Sequence, residues 1–312
     1  MAALEVLDNI TLNFSPGALT VMNIIIAFVM FGVALQINLQ DFKGVIQKPK
    51  SFLVGVFVQV FMLPFMTFLL CIALSPMLSL SVAMGMLLVA SCPGGNISNF
   101  MTALAKGNIP LGVSMTAFST LNCVVVTPFN FWFWGNLYCN FLSKSSALAE
   151  EPIYISFMEM AQTVVVLLVI PIVLGILFAH YLPRLTQVLI KPMSIISMAV
   201  FAFFVVAALS NNFNHFMKYI HLFGLIVILH NALALTIGNV AGRIARLSVK
   251  DLRAVTIESG IQNSGLGLIL IFNNDEFLRF GGMAFVAAWW GIWHIISGMG
   301  LAYYWNRKKE DL

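Results

Sequence analysis

The chain has 312 residues, of which 60% are hydrophobic and only 9% charged, and its mean hydropathy is +0.96. A soluble domain carries roughly 25% charged residues, so this composition excludes an ordinary soluble domain and specifies a polytopic membrane protein. The net charge of +4 is small, and nothing in it reads as a nucleic-acid patch.

Apolar runs recur at about the 20 residues an α-helix needs to cross about 30 Å of hydrocarbon, and the strict alternation of a barrel is missing. Nine spans are expected, roughly Gly17 to Ile37, Ser51 to Leu74, Leu78 to Leu104, Leu111 to Gly135, Ile153 to Ala179, Pro192 to Leu209, Ile220 to Gly242, Asp251 to Phe272 and Gly281 to Trp305. The N-terminal "MAALEVLDNITLNFSPG" lacks the basic region of a signal peptide, so the first span is expected to insert uncleaved. Asn9-Ile10-Thr11 and Asn13-Phe14-Ser15 match the glycosylation sequon, a pattern common by chance. Cys71, Cys92, Cys123 and Cys139 fall mostly inside spans with no CxxC spacing, which indicates neither a disulfide framework nor a metal site. The longest loop, Asn136 to Pro152, is about seventeen residues, so one integral unit with no soluble domain is expected.

The sixteen Lys and Arg fall in loops, in tails or at the mouth of a span, which lets the positive-inside rule be applied. Lys43, Lys48, Lys50, Lys106, Arg184, Lys191, Arg243, Arg246, Lys250, Arg253, Arg307, Lys308 and Lys309 fall on one side; Lys144, Lys218 and Arg279 fall on the other. That split of thirteen to three places the N-terminus outside and the C-terminus in the cytoplasm. Removing the eighth span would weaken it to eleven against five, so nine spans fit better.

Two spans are interrupted by glycine and polar residues: the third by "SCPGGNISNF" (Ser91 to Phe100), the eighth by "TIESGIQNSGLG" (Thr256 to Gly267). They stand five spans apart, an odd number, so the third runs inward and the eighth outward. Paired broken helices in inverted repeats are a sequence pointer to the midplane site of a secondary transporter. Backbone freed at a break cannot face lipid, where each unsatisfied group costs several kcal/mol; it must line a cavity or hold a ligand. Half-helix C-termini offer carbonyls to cations, and N-termini offer N–H groups to anions.

Glu258 is the sharpest single residue. A carboxylate within a span costs about 2.5–3.5 kcal/mol and persists where a cation, a proton or a partner offsets it. Gln262, four residues on, shares its helical face. The plain alternative is an interfacial Glu258 reaching to water. Ser98, Asn99 and Thr102 follow the first break, and Ser114, Thr116, Ser119, Thr120 and Asn122 make the fourth span unusually polar. Singly, such residues serve helix packing; as a cluster they read as the wall of a polar cavity. Glu159 reads as interfacial. His230 and His294 lie within spans, each readable as a core histidine or as substrate-facing, and no HExxH arrangement supports a metalloenzyme.

"CPGGNISNFMTALAKGN" (Cys92 to Asn108), "STLNCVVVTP" (Ser119 to Pro128), "TIESGIQNSGL" (Thr256 to Leu266) and "WHIISG" (Trp293 to Gly298) resemble the bile acid:sodium symporter family. The likeness extends over nearly the whole chain, including "FVMFGVALQINLQDFK" (Phe28 to Lys43) and "VQVFMLP" (Val58 to Pro64).

The resemblance implies a sodium-coupled importer of organic anions in an all-α fold with an inverted repeat, two crossed discontinuous helices, and panel and core domains that shift against each other. Panel helices would be 17–37, 153–179 and 192–209; core helices would be 51–74, 78–104, 111–135, 220–242, 251–272 and 281–305. Nine spans rather than the ten of many bacterial members would leave unequal halves of four and five. Carried over residue by residue, one sodium would sit near Ser98, Asn99, Thr116 and Glu258. A second would sit near Gln59, Glu258 and Gln262 with the carbonyls of Ser259 and Ile261. One carboxylate among neutral oxygens suits a weakly held monovalent ion; tight calcium sites use more carboxylates. Gly112 stands where bacterial relatives typically offer a serine hydroxyl to the first sodium, so a water or a shifted neighbour must fill in. Asn96, Asn263 and His294 would face the substrate. Ile295 replaces the asparagine seen after that histidine in bacterial relatives, and Asn96 replaces a threonine, so the anion itself stays open among bile acids, pantoate-like and keto-acid anions.

The expected function is sodium-driven symport of an organic anion, with lipid, sodium and anion as partners and no cofactor. A proton-coupled or sodium-independent transporter of the same fold, with Glu258 as proton carrier, is the first alternative. An intramembrane enzyme using Glu258, His230 and His294 has no catalytic motif to support it, and a binding-only sensor has no output domain.

Overall fold

The computed structural model describes residues 4, 7–8, 16–35, 49–145, 155–193, 195–196 and 213–308. Among these residues the chain is helical and carries no strand. Helix α1 (Pro16–Ala34) is followed by α2 (Pro49–Ala73), α3 (Leu80–Ser91), α4 (Ile97–Leu104), α5 (Ile109–Ser145) and α6 (Phe157–Tyr181). A helical stretch over 183–193 comes next, then α7 (Phe213–Ile244), α8 (Val249–Gly260), α9 (Ser264–Phe272), the single turn α10 (Asp275–Leu278) and α11 (Gly281–Arg307). Five of them, α2, α5, α6, α7 and α11, are long and apolar enough to cross a membrane. The expected sixth span lies outside the described residues from 197 onward, as do Lys43, Lys48, Lys309 and both sequons.

The third and eighth expected spans are each two half-helices. α3 stops at Ser91, where Cys92 turns extended ahead of Pro93, and α4 resumes at Ile97. α8 stops at Gly260, Ile261 is extended, and α9 resumes at Ser264 with the Asn263 side chain capping the Leu266 amide at 3.1 Å. The fourth expected span is longer than its hydrophobic stretch suggested, 37 residues continuous through Pro128.

Two helices contain a π-helical turn that hydropathy could not show. In α2 it covers Val58–Met62 just ahead of Pro64; in α6 it covers Val165–Val169 just ahead of Pro171. Proline lacks the N–H that would bond four residues back, so a carbonyl is released. In α2 the released carbonyl is that of Val60, and the Asn130 amide of α5 donates to it at 2.8 Å.

The loops rich in Lys and Arg meet at one end of the bundle. Asn108 N donates to the Lys250 carbonyl at 3.0 Å, Arg253 Nη1 to the Ala105 carbonyl at 2.8 Å and Lys106 Nζ to the Asn306 carbonyl at 3.0 Å. Asp251 ties this end together, accepting from Ser51 Oγ at 2.8 Å and from Asn108 Nδ2 at 2.7 Å. Lys50, Lys106, Lys250, Arg253 and Arg307 therefore share one end, as the charge asymmetry requires. α3 and α4 run toward it, while α8 and α9 run away from it. The core packs α8 along α7 and α3 along α11, whereas α1 packs chiefly along α6.

Candidate functional site

The two breaks lie side by side and satisfy each other. Gly94 and Gln262 form an antiparallel bridge; Gly95 N donates to the Ile261 carbonyl and Asn263 N to the Pro93 carbonyl, both at 2.8 Å. Backbone freed by one interruption is thus bound by the other, which answers the demand that no peptide group face hydrocarbon bare. Asn231 of α7 donates to the Gly260 carbonyl at 2.7 Å, and its own oxygen accepts from Ser297 of α11 at 2.5 Å. Sequence reasoning did not single out these two supports, whose amide and hydroxyl look like ordinary helix-packing residues.

Glu258 sits on the last turn of α8, against the bridge, and is 2% exposed. It does not reach to water. Ser98 Oγ donates to Oε2 at 2.5 Å and Thr116 Oγ1 to Oε1 at 2.8 Å, and the two hydroxyls are 3.4 Å apart. Among the described residues no group of three or more His, Cys, Asp or Glu side chains could hold a metal ion, and the two side chains bonded to this carboxylate are neutral hydroxyls. Arg253, on the same helix, is directed at the Ala105 carbonyl and lies over the Trp305 ring.

Gly94 makes the approach possible: a Cβ there would collide with Glu258 Oε1 and stand 2.8 Å from Gln59 Nε2. Gln59 is buried on the π-helical turn of α2, and that nitrogen has no partner. A half rotation of an amide exchanges its nitrogen and oxygen, so Gln59 can offer an acceptor at the same place. Gln262 Oε1 and Asn99 Oδ1 are also buried without a hydrogen-bond partner. The Ser259 carbonyl accepts from Gln262 Nε2 at 3.0 Å, and the Ile261 carbonyl from Gly95 N; each keeps a second lone pair.

Ser98, Thr116, Glu258, Gln59, Ser259, Ile261 and Gln262 thus lie at or beside the bridge between the two breaks, while Asn99, one residue past Ser98, turns its oxygen toward Gly112. The oxygens without partners (Asn99, Gln262) and the single carboxylate suit a hard monovalent cation. The three expected substrate residues are less closely drawn together. Asn96 is exposed; Asn263 is half-buried and, with Ile25, Val29 and Ile269, lines a crevice of about 20 Å³ between α1 and α9. His294 is buried on α11 with Nδ1 unpartnered. His230 bonds Thr67 Oγ1 at 2.8 Å and packs against the Trp290 ring, which makes it a core residue. A second cavity of about 10 Å³ beside the first break is lined by Gln59, Ser119, Asn122 and Thr127 together with Val60, Pro93 and Val126.

A profile described as the sodium bile acid symporter family matches residues 23–241. The chain belongs to that family. It is therefore a sodium-dependent membrane transporter and not an enzyme. It is 30% identical over 289 residues to an uncharacterized sodium-dependent transporter of Bacillus subtilis, covering 93% of this chain and 84% of that one. A probable chloroplastic sodium/metabolite cotransporter of Arabidopsis thaliana is 28% identical, over 89% of this chain and 65% of its own length. A sodium-dependent organic anion transporter of Bos taurus is 24% identical, over 99% of this chain and 78% of its own. This transporter thus spans somewhat under two thirds of the plant relative.

Proposed function

We propose that this transporter imports an organic anion with sodium by alternating access, its ion sites lying where the two helix breaks meet. The observation that carries the reading is Glu258, a buried carboxylate held by two hydroxyls, on breaks whose Asn99 and Gln262 also keep buried oxygens that have no protein partner. A buried charge left unpaired is costly, and a bound cation offsets that cost. One sodium is assigned to Ser98, Asn99, Thr116 and Glu258. The other is assigned to Gln59, Glu258, Gln262 and the carbonyls of Ser259 and Ile261. As cargo, each ion replaces water with these oxygens and leaves when they separate.

The anion is assigned to the crevice between α1 and α9, which Asn263 lines and which must widen from its present volume of about 20 Å³ to admit it, with Asn96 and His294 reaching the anion only in the widened form. Nine spans in an inverted repeat are part of the same reading, with N-terminus outside and C-terminus cytoplasmic. Chief packing of α1 on α6, apart from the α3, α7, α8 and α11 group, supports a panel moving against a core. Sodium shifts the equilibrium between conformers only by its differential affinity for them.

The test is thermal stability of the purified protein, titrated with sodium against choline at constant ionic strength, for the native chain and Glu258→Gln. A ligand at about 100 times its Kd adds about 2.7 kcal/mol, a readable rise in Tm. The native protein is expected to rise with sodium and the variant to stay flat. A rise of equal size in both would remove Glu258 from the ion site; sodium-independent uptake of every anion tested in proteoliposomes would sink the symport reading.

A further inference from the structure

We infer that the Thr102 hydroxyl is a ligand of the first sodium, occupying the role that Gly112 leaves without a side chain. The inference rests on the sodium reading above and concerns a residue to which no part was assigned there.

Thr102 lies on α4, one turn past Ser98, and is 0% exposed. A threonine inside a helix ordinarily turns its hydroxyl back to the carbonyl four residues earlier. Thr67, Thr116, Thr163, Thr186, Thr236 and Thr256 all do so in this chain. Thr102 does not. Its Oγ1 is buried with no hydrogen-bond partner, although the Ser98 carbonyl is at the usual offset. Leaving a buried hydroxyl unpaired costs stability unless something else binds it.

Gly112 lies beside both branches of the Thr102 side chain, and a Cβ there would stand 3.7 Å from Thr102 Cγ2. A Cβ built on Gly112 would stand 3.1 Å from Asn99 Oδ1 and 3.6 Å from Thr102 Oγ1. The two buried, unpartnered oxygens therefore face the same space beside Gly112, and the Gly112 carbonyl is already bonded by Thr116, which also holds Glu258. A side chain on residue 112 would fill that space; with glycine there, Thr102 reaches into it. One neutral hydroxyl replaces another, so the site keeps its charge and its hard oxygen character.

The test uses the full-length protein in detergent and reads Tm against sodium in a choline background, for Thr102→Val, Thr102→Cys, Thr102→Ser, Gly112→Ser and the pair Thr102→Val with Gly112→Ser. Valine and cysteine keep the volume and remove the hard oxygen. Losing one contact to a charged partner should raise the sodium needed for half the Tm shift by about tenfold or more. Thr102→Ser should track the native protein, and Gly112→Ser should restore the valine variant. In choline alone Thr102→Val should melt no lower than the native protein, because the removed hydroxyl had no protein partner. A residue serving only packing gives no such split between sodium and choline.

Native sodium response in both the valine and the cysteine variants would overturn the role of Thr102 and leave the Glu258 site standing. If valine does not fold, the cysteine and serine variants decide the same question. Absence of a sodium response in the native protein, or its survival in Glu258→Gln, would overturn the underlying reading and this inference together.

Discussion

Two adjacent glycines in the first break should respond to very different extents to the same added methyl group. At Gly94 a Cβ collides with Glu258 Oε1, the oxygen that accepts from Thr116, and approaches Gln59 Nε2 to 2.8 Å. The carboxylate cannot retreat without giving up that hydroxyl. A hydrogen bond to a charged group is worth about 1.5–3 kcal/mol, and overpacking costs a further 1–3 or so. Together these weaken the sodium-competent arrangement by several kcal/mol, or about 100-fold or more in sodium affinity at roughly 1.4 kcal/mol per decade. At Gly95 the same Cβ lies 3.2 Å from the Gln262 carbonyl and 3.4 Å from Ile261 Cγ2, a tight fit that asks its neighbours for only a few tenths of an ångström and breaks no bridge bond. That change should cost under about 1.5 kcal/mol, less than about tenfold in affinity. The assay is the sodium concentration at half-maximal Tm shift for Gly94→Ala and Gly95→Ala. Equal effects at the two positions, or a native midpoint in Gly94→Ala, would refute the claim that Gly94 exists to admit the carboxylate.

Asn130→Ala should lower Tm in both sodium and choline, since it strips the donor from the Val60 carbonyl that Pro64 cannot serve; about 1–3 kcal/mol is expected from denaturant or thermal unfolding. An unchanged Tm would mean that the π-helical turn needs no clamp. Asn23 and Asn273 exchange two amide hydrogen bonds, at 2.7 and 2.9 Å, joining α1 to the end of α9 at the crevice. A double-mutant cycle on Asn23→Ala and Asn273→Ala should give a coupling of about 0.5–3 kcal/mol in thermal stability, and strictly additive losses would show that the pair does not hold these helices together.

Much of this was legible from residue types. Composition gave the membrane class, and the placement of Lys and Arg matched the end where the loops around Lys106, Lys250 and Arg307 meet. Glycine and polar residues at Gly94–Asn99 and Gly260–Ser264 marked where helices had to stop, because such residues in lipid make no sense unless they serve one another or a ligand. What sequence could not show depends on three-dimensional register. The two interrupted segments are visible in the sequence, but which residue of one meets which of the other is not, and the structure pairs Gly94 with Gln262 in antiparallel sense. Thr102 and Gly112 sit ten residues apart across a turn, so no helical spacing connects them. The π-helical turn that carries Gln59 hides in a hydropathy profile because it changes which way a side chain faces and leaves its polarity as it was.

The bridge between the breaks bears on what the protein is free to do when it moves. A broken helix is the obvious place to bend, since its two halves lack a continuous hydrogen-bond ladder. Here each break is laced to the other by two 2.8 Å backbone bonds, and Asn231 and Ser297 fasten the second to α7 and α11. Bending either one would tear peptide bonds' donors and acceptors loose in a medium that offers no replacements. The interruptions are therefore built as a knot and not as hinges, and cargo held there is carried by the whole knotted block, with compliance left to the surfaces around it.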